Sequence, residues 1–273
     1  MRQQYSSARL LTSAALAVAL ATGLGSCQTM SDITGSITPS NTPSGSEQAS
    51  DADPQRAMET YGDRYRANPK DADAGLAYGQ ALRANGQRAQ AAAVLEQATI
   101  NNPGNKTLLA AYGRALADNG NFQQAFDVLS RAHSPANPDW RILSVQGTAL
   151  DQLGRHEEAR RYYESALKIV PNEPSVLSNL GLSYMLSKDL PKAEQVLRQA
   201  YANPKADARV RQNLGLVVGL QGRFAEAETI VKADLPPDEA AANVTYLREM
   251  LKGSDTRASA RATAPLADLN RPD

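Results

Sequence analysis

The chain has 273 residues, of which 42% are hydrophobic and 5% are aromatic, so length alone allows one large domain or two ordinary ones. Its 29 lysine and arginine residues balance its 29 aspartate and glutamate residues, and no basic stripe stands out, which argues against nucleic acid as the main ligand. The chain contains one cysteine, which excludes an internal disulfide.

The N-terminal residues have the composition of an export signal. Arg2 and Arg9 supply positive charge, and residues 10–20 form an apolar stretch of about eleven residues, too short to span a bilayer as a mature helix. The single cysteine, Cys27, follows shortly afterwards. Residues 1–26 are therefore predicted to be a signal peptide.

The four residues Leu24, Gly25, Ser26 and Cys27 resemble the bacterial lipobox. The resemblance implies that Cys27 is lipidated and that the peptide before it is removed, and several acyl chains on one cysteine anchor a protein firmly. Because Gln28 and not Asp follows the cysteine, it also implies sorting to the outer membrane of a diderm bacterium, with the protein lipid-anchored on the periplasmic face. The alternative is an ordinary signal with a chance cysteine near its cleavage site.

The segments on either side of the central sequence differ in composition. Residues 27–53 are rich in Ser, Thr, Pro, Gly and Asp and have little to bury, which predicts a flexible linker. A single helix is predicted over 54–68. A closing helix is predicted over 239–252, because the end of a stack needs a solubilising cap, and 253–273 is predicted to be a disordered tail. The folded domain is then 54–252.

Between these ends, glycine recurs every 34 residues, at Gly79, Gly113, Gly147, Gly181 and Gly215. An alanine stands twelve positions after each one, and a second glycine stands seven positions after each one except where Lys188 replaces it. Self-similarity at a fixed period is the signature of a stacked repeat protein. The first glycine is expected where two helices cross closely, and the second where a helix ends in a left-handed residue.

This pattern resembles the tetratricopeptide repeat (TPR), a 34-residue pair of helices A and B with Gly, Ala and Pro at set places. The resemblance covers five units over about 72–241. It implies an all-α, right-handed superhelix with helices A on the concave face, extended by flanking helices. The chain departs from the pattern in three ways: no unit has Trp at its fourth position, Lys188 stands at a turn, and Asp234 replaces a small residue.

No catalytic set is recognisable in the sequence. His133 and His156 lack metal-ligand spacing, no Cys/His cluster accompanies them, and both are expected to be solvated turn residues. The glycines follow the repeat and form no phosphate loop, and acidic pairs such as Glu157 and Glu158 are expected on a solvated outer face. We therefore predict no enzyme activity, no metal, no cofactor and no small-molecule substrate.

The predicted ligand surface is the concave face, which TPR proteins form from positions 2, 5, 6, 9, 12 and 13 of helix A. In the first three units these positions hold polar and charged residues, namely Asp73, Gln80, Arg83, Arg114, Asp118, Arg141, Thr148 and Asp151. In the last two units they hold amides and apolar residues, namely Asn179, Leu182, Met185, Leu186, Asn213, Leu216 and Leu220.

An apolar strip beside asparagines can bind a protein partner's peptide or helix, with the amides holding its backbone. The alternative is that some of the leucines face the core. The TPR clamp for a C-terminal carboxylate needs Lys and Asn at set places in three units, and Leu76, Ala111 and Val145 do not match it.

Residues 140–207, 209–228 and 233–251 resemble the TPR lipoproteins of tight-adherence (Tad/Flp) pilus systems, the TadD type, and the likeness runs over about 53–252. It implies a scaffold that binds protein partners during assembly of the pilus machine and assists the outer-membrane secretin. The alternative is a TPR lipoprotein that regulates another envelope complex, such as peptidoglycan synthesis or outer-membrane protein insertion.

Overall fold

The computed structural model describes residues 54–263, with side chains over 56–253. The predicted signal peptide and the predicted linker, including Cys27, lie outside the described residues. The described chain forms twelve α-helices and no named strand: α1 Pro54–Ala67, α2 Ala72–Ala84, α3 Arg88–Asn101, α4 Lys106–Asp118, α5 Phe122–Ala132, α6 Trp140–Gln152, α7 His156–Ile169, α8 Pro174–Leu186, α9 Leu190–Tyr201, α10 Ala208–Leu220, α11 Phe224–Val231 and α12 Pro237–Thr263.

The helices repeat with the period of the glycines. The five A helices (α2, α4, α6, α8 and α10) begin 34 residues apart, and so do the five B helices (α3, α5, α7, α9 and α11). Each A helix packs against the B helix that follows it, and each B helix packs against the next A helix. The prediction of an all-α TPR superhelix with five full units is confirmed.

The repeated small residues lie where the helices approach most closely. A Cβ atom on Gly79 would lie 2.4 Å from Leu95 Cγ, and one on Gly147 would lie 2.6 Å from Tyr163 Cε1, both closer than atoms can pack. The alanines twelve positions after each glycine are at most 1% exposed. The close helix crossings predicted from the glycines are therefore present.

The turns between helices A and B show why one unit departs from the pattern. Four of these turns have glycine with φ between 73° and 83°, at Gly86, Gly120, Gly154 and Gly222. The fourth unit adopts the same left-handed backbone with Lys188, at φ 64°. A side chain with a Cβ atom is strained in this region, so the turn geometry is imposed by the repeat.

The last helix is longer than expected. The closing helix was predicted to end at Lys252, but α12 continues to Thr263, so the first part of the predicted tail is helical. Residues 264–273 lie outside the described residues. Gly253, which stands where a glycine would end the shorter helix, lies inside α12, and the first proline after it in the sequence is Pro265. Within the described residues, no helix combines the length and the hydropathy that a membrane crossing requires.

Candidate functional site

The A helices form the inner face of the stack. The backbone of each A helix closely approaches that of the A helix in the next unit, from α2 through α10. In the described part of the chain, the backbones of successive B helices do not approach each other this closely, and α9 and α11 are joined only through long side chains, as in the ion pair of Arg198 with Glu226. The A helices therefore converge on the concave side and the B helices splay apart on the convex side. All the predicted groove residues lie on this inner set of helices.

The apolar end of the groove is narrower than the sequence indicated. Leu182 is only 5% exposed, so the prediction that it lines an open groove is wrong. Helix α8 is contacted by α6 on one side and α10 on the other, which leaves Leu182 no open surface. Met185 packs against the core cluster of the last units, and Leu216 is partly buried.

What remains open at this end is Leu186, which is 46% exposed at the end of α8, and the partly exposed Leu220 at the end of α10. These two residues are 34 positions apart and occupy equivalent places in neighbouring units. The exposed apolar strip therefore lies at the C-terminal ends of helices A and not along their middle.

The two groove asparagines bind the neighbouring repeat. Asn179 Nδ2 donates to Ser144 Oγ at 3.1 Å, and Asn213 Nδ2 donates to Ser178 Oγ at 2.9 Å. Both serines are buried, so each amide satisfies a hydroxyl that has left water. The role predicted for the asparagines, holding a peptide backbone, thus competes with a structural role between units. Asn and Ser recurring together every 34 residues was the sequence signal for this bond.

Several of the charged groove residues are also engaged. Arg83 Nε and Asp118 Oδ2 lie 2.6 Å apart, and both side chains are less than one-fifth exposed. This ion pair joins the first unit to the second. Thr148 Oγ1 donates to the carbonyl oxygen of Ser144 in its own helix. The ion pair therefore holds two units together, and the Thr148 hydroxyl is satisfied within its own helix.

Asp151 is the centre of a buried hydrogen-bond network. Its carboxylate accepts from Ser183 Oγ at 2.7 Å and from Tyr163 Oη at 2.9 Å, and His156 Nδ1 lies 2.9 Å from Oδ1. Burial raises the pKa of the Asp151 carboxyl, and the hydrogen bonds from His156, Ser183 and Tyr163 oppose that rise. His156 is therefore tied to Asp151 and is not the solvated turn residue that the sequence indicated.

Ser183, His156 and Asp151 are the residue types of a hydrolase triad, but their geometry differs from that of a triad. The Ser183 hydroxyl donates directly to the carboxylate, so its proton is not shared with the imidazole as a nucleophile requires. Within the described residues, no group of three or more His, Cys, Asp or Glu side chains could hold a metal ion. The network joins the third unit to the fourth.

The charged end of the groove contains a cavity of about 260 Å³ between α2, α4 and the loop that precedes α6. Its polar lining residues include Gln80, Lys106, Thr107, Arg114, His133 and Asp139. Burial lowers the pKa of Arg114, Asp139 acts against that effect, and Arg83 and Arg141 add to it. Arg114 nevertheless remains charged, as arginine does throughout the physiological range.

Arg141, the other predicted cation of this end, lies at the start of α6. Its guanidinium carbon is 4.6 Å from the centre of the Trp140 ring, and its Nε is buried without a hydrogen-bond partner among the described residues. Of the three arginines predicted for the groove, Arg114 and Arg141 are therefore the two whose side chains are not bound to a carboxylate in the described structure.

The cavity exists because the B helix of the second unit ends early. Helix α5 has 11 residues, whereas α3 and α7 have 14 and α9 has 12. Only α11, the last of the B helices, is shorter, with 8 residues. Pro135 cannot continue a helix and disfavours helical backbone at the residue before it, so the chain leaves the helix at His133 with an extended backbone. Residues 134–137 then form a turn closed by the Asn137 N–H, which donates to the Ser134 carbonyl at 3.0 Å.

Sequence reasoning missed this cavity, and it also placed His133 in solvent. The signal that could have revealed both was Pro135, because no other unit that is followed by a further unit has proline at this place. The first, third and fourth units have Asn101, Ile169 and Asn203 there.

The comparisons with known proteins agree with this architecture. The tetratricopeptide repeat family model matches residues 76–139 and 144–208. No curated protein sequence matches the chain. Among solved structures, PilW, a widely conserved type IV pilus biogenesis factor, has 19% identity and a TM-score of 0.62 over 71% of this chain and 91% of its own.

A second similar structure is TTC0263, a thermophilic TPR protein of Thermus thermophilus, with 22% identity and a TM-score of 0.57 over 64% of this chain and 98% of its own. At these identities the likeness to both structures shows the fold alone. The repeat matches, the helix register and the shared fold agree with one another: residues 76–139 and 144–208 contain tetratricopeptide repeats, and the described chain has the all-α TPR fold.

Proposed function

We propose that this chain is a lipid-anchored TPR scaffold on the periplasmic face of the outer membrane, which binds protein partners during assembly of the Tad/Flp pilus machine. The lipobox resemblance at Cys27 supports the anchor, and the resemblance over 53–252 supports the pilus system. The observation that carries the binding role is the inner face, which combines exposed apolar side chains with a cavity containing an unpaired cation.

The apolar part of that face favours a partner segment that buries hydrophobic side chains. Leu186 is 46% exposed, and Leu220 is partly exposed at the equivalent place of the next A helix. Neighbouring exposed leucines on a concave surface are typical of an interaction site. The partner that we infer is a segment of the outer-membrane secretin, which needs an apolar cradle before its subunits insert.

The test is the state of the secretin in cells that lack this protein. We expect deletion of its gene to reduce the secretin multimers in outer-membrane fractions, and re-expression of the wild type to restore them. Leu186→Glu should fail to restore them, because it places a charge against apolar partner atoms. The matched control is Gln195→Glu, on the exposed surface of the outer helix α9, which should restore them.

Two results would contradict the proposal. One is normal secretin multimers in the deletion strain, and the other is full restoration by Leu186→Glu. Normal multimers together with a defect in peptidoglycan synthesis or outer-membrane protein insertion would support the alternative envelope role.

A further inference from the structure

The cavity beside α4 contains more positive than negative charge. Lys106 and Arg114 both line it, whereas Asp139 is its one acidic lining residue. Asp139 already accepts the backbone N–H of Arg141 at 2.8 Å, as the N-cap of α6. No carboxylate in the described part of the chain lies within ion-pair distance of Arg114.

A partly buried guanidinium without a carboxylate partner calls for an explanation, because burying an uncompensated charge is unfavourable. Asp118 does not supply the partner, since it is bound to Arg83. Arg83 and Arg141 add positive charge around Arg114. With Lys106, this region contains four cations, Arg114 included, against two carboxylates, those of Asp118 and Asp139. The electrostatic environment therefore favours an anion.

Repeat packing does not require these cations. The positions equivalent to Arg114 in the other units hold Gln80, Thr148, Leu182 and Leu216, and those equivalent to Lys106 hold Ala72, Trp140, Pro174 and Ala208. A residue that the common repeat frame needs would recur, as the crossing glycines do. The two cations and the 133–139 loop are peculiar to the second unit, and among the described residues neither cation forms an ion pair with the neighbouring units as Arg83 does with Asp118.

The wall of the cavity is held by a hydrogen-bond chain through His133, which is one of its lining residues. The Ser130 hydroxyl donates to the Phe126 carbonyl, so Ser130 Oγ accepts from Gln146 Nε2 at 3.0 Å. Gln146 Oε1 is then the acceptor for His133 Nε2 at 3.0 Å. The His133 ring is therefore fixed in place, and its Nδ1 is buried without a partner among the described residues.

We propose that this cavity binds a carboxylate of the partner segment, with Arg114 and Lys106 as its ion-pair partners. The inference rests on the proposed function and names the chemistry that one end of the groove recognises. The volume of about 260 Å³ is below the roughly 300–1,000 Å³ of small-molecule sites, which suits one side chain or chain end. An Asp or Glu side chain and a C-terminal carboxylate offer the same chemistry, and the experiment separates them.

The experiment begins with peptide selection on the immobilised full-length protein from a random dodecapeptide phage library. We expect the peptides retained by the wild type to share an Asp or Glu at one register, and those retained by Arg114→Gln to lack that preference. A selected peptide is then synthesised with its acid replaced by the amide, and with a free or an amidated C-terminus. Loss of binding on acid-to-amide replacement assigns the side chain, and loss on C-terminal amidation assigns the chain end.

The binding constant provides the quantitative test. Arg114→Gln should weaken the acidic peptide by about tenfold or more, since hydrogen bonds to charged groups are the stronger ones, and should leave the amide peptide unchanged. Arg161→Gln removes the same charge from the exposed surface of α7 and should change neither affinity. Circular dichroism checks the fold, and Lys106→Gln, at an exposed position, serves as a second variant if Arg114→Gln is unfolded.

The remaining outcomes would contradict either the carboxylate pocket alone or both the pocket and the proposed peptide-binding groove. Retained peptides without an acidic preference, or an acidic preference that persists in Arg114→Gln and in Lys106→Gln, would overturn the carboxylate pocket and leave the scaffold function standing. Failure of the folded wild type to retain any peptide would overturn both the pocket and the proposed peptide-binding groove.

Discussion

Replacing Gly147 by alanine should destabilise the third repeat, although alanine is the better helix former. The added Cβ would lie 2.6 Å from Cε1 and 2.8 Å from Cζ of Tyr163, a ring that is 1% exposed. The ring cannot simply move aside, because its hydroxyl donates to the buried carboxylate of Asp151 at 2.9 Å. The substitution therefore either compresses the helix crossing or breaks a charge-assisted hydrogen bond.

The expected magnitude follows from three terms. Overpacking a core costs about 1–3 kcal/mol, and loss of a hydrogen bond to a charged group costs about 1.5–3 kcal/mol. Replacing a helical glycine by alanine returns about 1 kcal/mol. If both penalties apply, the free energy of unfolding should fall by about 1.5–5 kcal/mol.

The matched control is Gly181→Ala in the next unit. There the added Cβ would lie 2.6 Å from Leu197 Cγ, a flexible aliphatic side chain whose tip makes no hydrogen bond. The overpacking cost of about 1–3 kcal/mol, reduced by about 1 kcal/mol of gained helix propensity, leaves a fall of about 0–2 kcal/mol in the free energy of unfolding. The difference between the two variants measures how far the Tyr163 hydroxyl holds the ring in place.

The measurement is chemical denaturation followed by circular dichroism, together with amide hydrogen exchange in α6 and α7, because a repeat protein need not unfold in one step. Increased exchange concentrated in these helices and their neighbours is expected. A Gly147→Ala variant as stable as the wild type, or more stable, would refute the reasoning.

Three further predictions follow from other parts of the chain. Lys188→Gly should stabilise the fold by about 1 kcal/mol, because it relieves left-handed backbone strain. Asn172→Gly should stabilise it less, because asparagine tolerates that backbone. A lower melting temperature for Lys188→Gly would contradict this. Hydrogen bonding from Arg223 lowers the pKa of Glu194 to about 2. The stability that this carboxylate adds should therefore be present above its unfolded pKa of about 4.5 and lost as the pH falls towards 2, so the stability difference between wild type and Glu194→Gln should shrink over that window. A difference independent of pH would refute this prediction. Cys27→Ala should leave an unprocessed or soluble form, and persistence of that variant in carbonate-washed outer membranes would show that Cys27 is not the anchor.

The sequence predicted the repeat frame because that frame depends on small residues that close helix packing requires at fixed positions. A glycine at a helix crossing and an alanine in a tight interface are needed wherever the unit recurs, so the 34-residue period predicted five units over about 72–241, and the A helices begin at the same interval from Ala72 to Ala208. Even the exception at Lys188 was visible, since the turn still needed a left-handed residue there.

The groove was harder to predict because the same helix face serves two purposes. Asn179 and Asn213 lie on the inner face, but each also reaches a serine one repeat away, and the register of one residue type does not reveal that second contact. Leu182 is buried by the A helices on both sides, which depends on their spacing and not on the pattern within α8.

The cavity was missed for another reason. Periodicity analysis reports what recurs, and the cavity arises from what does not recur between consecutive units, namely Pro135 and the shortened α5 that precedes it. The end of α12 at Thr263 was also not predicted, because the sequence beyond Lys252 carries no repeat signal.

The most direct test of the central claim, that a protein partner binds the concave face, is site-specific photocrosslinking in intact cells. A photoreactive amino acid at Gln80 or Leu186 would report on the inner face, and one at Glu164 or Gln195 on the exposed surfaces of the outer helices. The account predicts crosslinks to the pilus secretin from the inner positions and not from the outer ones. Equal crosslinking from both sets, or crosslinks from the outer positions alone, would contradict it.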